Sequence, residues 1–61
     1  MNSEVQEVIM ELHILSSQMQ RLAEKMCLLG GEAEMHAMEM KGAARIVHTW
    51  IEGLQSGEDE F

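Results

Sequence analysis

Between residues 5 and 29, steps of three and four pick out Val5, Val8, Leu12, Leu15, Met19, Leu22, Met26 and Leu29, every one apolar. That period belongs to a helix that lays a stripe along another helix. Ahead of it, Ser3-Glu4-Val5-Gln6 fits the S-x-x-Q form of a capping box. In that motif the amide of Gln6 donates to the Ser3 hydroxyl, and the Gln6 side chain returns a bond to the Ser3 backbone. After the stripe, Gly30-Gly31 supplies the left-handed backbone that closes helices. The pattern predicts a first helix over about residues 4–29. A second stripe then runs Ala33, Ala37, Met40, Ala44, Val47, Ile51, Leu54 in alternating steps of four and three, again wholly apolar. Glu32 and Glu34 suit the positive end of a helix dipole. A second helix is predicted over about 32–54.

If the chain folds back at Gly30-Gly31, the two stripes match layer by layer. Leu29 meets Ala33, Met26 meets Ala37, Leu22 meets Met40, Met19 meets Ala44, Leu15 meets Val47, Leu12 meets Ile51 and Val8 meets Leu54. The alanines face Leu or Met, which lets the helices approach closely near the turn. The expected fold is all-α: an antiparallel two-helix hairpin over 1–54, with Leu15 and its heptad mates in the core. Residues 55–61 (Gln-Ser-Gly-Glu-Asp-Glu-Phe) read as an acidic flexible tail.

Two stripes make a small core for 61 residues, and the second helix carries more apolar surface than its stripe uses. Met35, Ile46 and Trp50 flank that stripe, joined by small Gly42 and Ala43, while Met10, Ile14 and Leu28 form a sparser second line on the first helix. A helix that is apolar over more than half its circumference is covered by more than one neighbour. The expectation is a homodimer in which two hairpins form a four-helix bundle. Its candidate interface residues, for the second copy or a larger protein, are Met35, Gly42, Ala43, Ile46, Trp50, Met10 and Ile14.

Composition narrows the picture. One Trp, one Phe, no Tyr and no Pro leave little support for an all-β fold. The single Cys27 offers no internal disulfide. No apolar run approaches membrane-spanning length, and the N-terminal residues lack the basic start and apolar block of a secretory signal, so a cytoplasmic protein is expected. The net charge of −7 is unevenly placed. Glu4, Glu7, Glu11, Glu52, Glu58, Asp59 and Glu60 lie towards the two chain ends without a base among them. In the middle, Arg21, Lys25, Lys41 and Arg45 cancel Glu24, Glu32, Glu34 and Glu39. This balance disfavours binding to a phosphate backbone and suits attraction to a basic surface.

Candidate chemistry is sparse. Glu32, His36 and Glu39 share a helix face, yet the first helix offers Leu22, Met26 and Leu29 opposite them, not a second set of carboxylates. Surface polar residues are the better reading, and no metal or cofactor is expected. His48 and Glu52 make an ordinary i,i+4 pair, His13 lies between core and solvent, and Cys27 reads as an inert, partly buried thiol. No phosphate loop or nucleophile elbow is present, so the chain is expected to be non-enzymatic. Of seven methionines, Met19, Met26 and Met40 suit core filling, whereas Met10, Met35 and Met38 could form an adaptable contact surface.

Three resemblances bear on function. The like-charged pairs Arg21 with Lys25 and Lys41 with Arg45, on a short helical hairpin, give the chain a length and architecture that resemble the Rop family of plasmid copy-number modulators. That would imply RNA binding through the helix faces, which the acidic balance opposes; an acidic nucleic-acid mimic is the related alternative. Glu58, Asp59, Glu60 and Phe61 resemble the acidic tips of single-strand-binding proteins, implying a tail contact in a basic pocket. Gly30-Gly31-Glu32-Ala33 and the small-residue helix with Ala43, Ala44, Ile46 and Val47 are similar to the hairpin co-chaperones of type III secretion needle subunits. That resemblance implies a larger helical-repeat partner. The reading the residues favour is a small protein–protein interaction module that docks on a larger protein and modulates its activity or assembly. Its size and charge would suit a phage- or bacterium-encoded regulator or inhibitor.

Overall fold

The computed structural model describes residues 3–59 and shows two helices, α1 (Ser3–Leu29) and α2 (Gly31–Asp59), packed as an antiparallel hairpin. The Cα trace measures 47 × 15 × 9 Å. Helix α1 opens at Ser3, where the capping motif places it. Helix α2 runs five residues beyond its expected end at Leu54, through Gln55–Asp59. No Pro interrupts the register, and Gly57 alone breaks a run of residues that helices tolerate.

A single residue, Gly30, separates the helices, and Gly30 and Gly31 have φ of 72° and 59°. L-residues pay for that left-handed backbone and glycine does not. The Gly30 amide donates to the Cys27 carbonyl at 3.3 Å, and the Glu34 amide donates to the Gly30 carbonyl at 3.4 Å. The first bond ends α1 and the second opens α2, so the turn satisfies backbone groups that helix ends otherwise leave open.

So short a turn holds the helices close, and the seam is built accordingly. Ala23, Ala37 and Ala44 are fully buried, with Ile9, Val47 and Ile51 forming the apolar cluster nearer the open end. Val5, Leu12, Met19 and Leu54 pack around that cluster. Helix α2 thus buries the stripe its sequence predicted.

Helix α1 does not. Its seam is Val5, Ile9, Leu12, Ser16, Met19, Ala23 and Met26, so four-residue and three-residue steps still alternate but every second member moves one place along the chain. Val8, Leu15, Leu22 and Leu29, expected in the core, are exposed instead. The change amounts to turning α1 by roughly 50° about its axis. Its physical reason is size. A one-residue turn holds the helices too close for Leu29 opposite Ala33 or for Leu22 a turn further on, whereas Ala23 fits and is fully buried with Ala37 and Ala44.

Candidate interaction surface

The turned α1 creates two unlike flanks on the hairpin. One is polar and is fixed by direct contacts. Ser16, 1% exposed, shares a 3.0 Å hydrogen bond between its Oγ and Nε2 of His48. His13 meets the same imidazole edge-on, with ring centroids 6.2 Å apart. Further towards the turn, Gln20, Glu24, Lys41 and Arg45 line one depression. Residues 13, 20, 41 and 48 therefore mark a single side of the molecule.

Helical periodicity sends their counterparts two residues away to the opposite side. There α1 presents Val8, Leu15, Leu22 and Leu29 at seven-residue intervals, and α2 presents Ala43 and Trp50 with Ile46 at the margin. Leu15 is 44% exposed, Leu22 50% and Trp50 55%, while Ala43 is half-buried between the helices. The α1 stripe runs for about 30 Å at 1.5 Å per residue. Lys25 lies at its edge, lining a depression with Gln18, Arg21 and Leu22. Glu11 occupies the equivalent edge one turn from both Val8 and Leu15.

Of the residues singled out from the sequence, Ala43, Ile46 and Trp50 fall on this flank. Met35 and Gly42 point further round α2, away from the seam, and both are exposed. Met10 and Ile14, also exposed, lie on the back of α1 and not beside the α2 residues they were grouped with. Val8, Leu15 and Leu22 were missed as surface residues because the same unbroken apolar heptad suits a core. The signal that separates the two readings is the run of alanines on α2, which accepts small partners.

The remaining candidates stay apart. His36 Nδ1 and Glu39 Oε1 are 3.0 Å from each other, both well exposed. Among the described residues no three His, Cys, Asp or Glu side chains converge as a metal site would require. Cys27 is half-buried, with a free thiol. Arg21 and Lys25 line one depression and Lys41 and Arg45 another, so the four bases do not form one surface. Glu60 and Phe61 lie outside the described residues, and Glu58 and Asp59 are described only as backbone in the last turn of α2. No helix among the described residues is long and apolar enough to cross a membrane.

The fold and this surface define the chain as a two-helix hairpin with one uncovered apolar flank. No family model matches it, and neither a curated protein nor a solved structure gives a match.

Proposed function

We propose that the chain is a non-enzymatic protein–protein interaction module that docks on a larger protein and modulates its activity or assembly. One observation carries this reading: more large apolar side chains lie outside the hairpin seam than inside it. Among the described residues, Val8, Leu15, Leu22, Leu29, Ile46 and Trp50 line one flank, while Met10, Ile14, Leu28, Met35 and Met38 face outward elsewhere, all exposed. Inside the seam the large apolar side chains are Val5, Ile9, Leu12, Met19, Met26, Met40, Val47, Ile51 and Leu54, and of these only Ile9, Val47 and Ile51 are buried outright. Exposed apolar surface in this proportion is the mark of a protein completed by partners. The unbranched methionines suit a surface that repacks on contact. The net charge of −7 adds attraction to a basic partner, which suits a regulator or inhibitor.

The test is capture from a cell extract with the wild-type chain beside Leu15→Glu, Ile14→Glu and Met35→Glu, each checked for helicity by circular dichroism. A specific protein retained by the wild type and lost by at least one folded variant supports the module. Equal capture by all four chains, or none by the wild type, overturns it.

A further inference from the structure

We infer that the apolar flank is covered by a second copy of this chain, laid face to face with its turn beside the other copy's open end. This inference rests on the interaction-module reading and names the first partner that the module takes.

Two features select the occupant. The first is the shape of the apolar stripe. Val8, Leu15, Leu22 and Leu29 recur every seven residues along most of α1, so whatever covers them is itself a long helix running nearly parallel or antiparallel. The same flank carries Ala43 and Trp50 from α2. A partner must therefore present two helices side by side, and the flank of a second hairpin does so.

The second feature is charge, and it also fixes the direction. The open half of the hairpin, residues 3–17 and 46–59, carries Glu7, Glu11 and Glu52 and no Lys or Arg. In the turn half Arg21, Lys25, Lys41 and Arg45 balance Glu24, Glu32, Glu34 and Glu39. Two copies stacked with both turns at one end would bring the acidic halves together. Reversing one copy places each acidic half beside the other's balanced half. A two-fold axis across the hairpin near Gln18 then sets Leu15 against the second copy's Met19–Leu22 turn of helix and Val8 against its Met26–Leu29 turn. Glu11 falls beside the second copy's Lys25, and the symmetry repeats that pair. Trp50 reaches the level of the second copy's Ala37–Met40 segment. The contact is isologous and closes on itself, leaving Ile14, Met35 and Met38 outward for a larger protein.

The experiments use the full chain. Sedimentation at micromolar concentration should give twice the chain mass for the wild type. Leu15→Glu with Leu22→Glu should sediment as a monomer that keeps its helicity, since both sites are exposed in the hairpin. Lys25→Glu should weaken the dimer about three- to tenfold, and adding Glu11→Lys should restore it. A spin label at Glu32→Cys, in a Cys27→Ala background, should report a separation of about 35 Å between the two turns. A monomeric wild type overturns the inference, as does a label separation near 15 Å or a swap that fails to restore dimerisation. The two readings fail separately. A monomer whose capture of a larger protein still depends on Leu15 leaves the module standing, whereas a dimer that captures nothing leaves only the self-association.

Discussion

Ser16 shows how little of a seam is decided by hydrophobicity alone. It is buried to 1% exposure at a position where α2 comes close, and it keeps its hydroxyl satisfied through His48 Nε2. Ser16→Ala removes that bond, but His48 is exposed and water takes the place of the lost partner. The expected change in unfolding free energy is within about 0.5 kcal/mol, measured by urea titration of the helical signal. Ser16→Leu instead overpacks the seam and is expected to cost about 1–3 kcal/mol. The same contrast separates neighbouring sites. Leu15→Asp, at a half-exposed position, leaves the isolated hairpin helical, whereas Ala23→Asp buries an unpaired charge and unfolds it. From the sequence these effects would be reversed, because Leu15 sits in the cleaner heptad. Apolar letters locate a helix's wide face. They do not say which edge of that face a neighbour with alanines will take, and Ser16 and Ala23 are visible as seam residues only once their small size is matched to Ala37 and Ala44.

At the scale of elements, the two helices and their turn were plain in the sequence because several local signals agree there. The Ser3 cap, the glycine pair and the two acidic residues that follow it all mark boundaries, and the structure places α1 and α2 within a residue of those signals at three of the four ends. The fourth, the end of α2, carries no such mark. Gln55, Ser56 and Gly57 suggest a tail by composition, yet the backbone continues helically past them to Asp59. The glycines themselves divide by backbone. Gly30 and Gly31 have positive φ with nothing within 4 Å of a Cβ added to either, so alanine at each meets backbone strain and no clash. Each substitution is expected to destabilise by about 1–2 kcal/mol. Gly42 and Gly53 lie in ordinary helical backbone with equally open surroundings. Alanine at either should stabilise the chain by about 0.5–1 kcal/mol through helix propensity. Thermal melts of the four single variants check both signs.

At the scale of the whole molecule, the exposed stripe of α1 and the shallow seam between the helices are one fact seen from two sides. The one-residue turn draws small side chains inward, and the larger ones of the same helix are left outside. A hairpin built this way gains its remaining apolar burial from another chain, so its stability should depend on how much of that chain is present. For self-association the expected dependence can be stated. A tenfold rise in concentration contributes about 1.4 kcal/mol per dimer, which for two such chains raises the melting temperature by about 5 °C. Ser16→Ala, inside the seam, keeps that slope. Leu15→Glu removes it by placing a charge where the second copy would sit, and the tryptophan emission of Trp50 should move to longer wavelength in the same variant as its ring becomes hydrated. Melting curves over a hundredfold range of concentration, followed by both helicity and Trp50 emission, measure the two effects together. A wild type that melts at one temperature throughout that range has no second copy in its folded state.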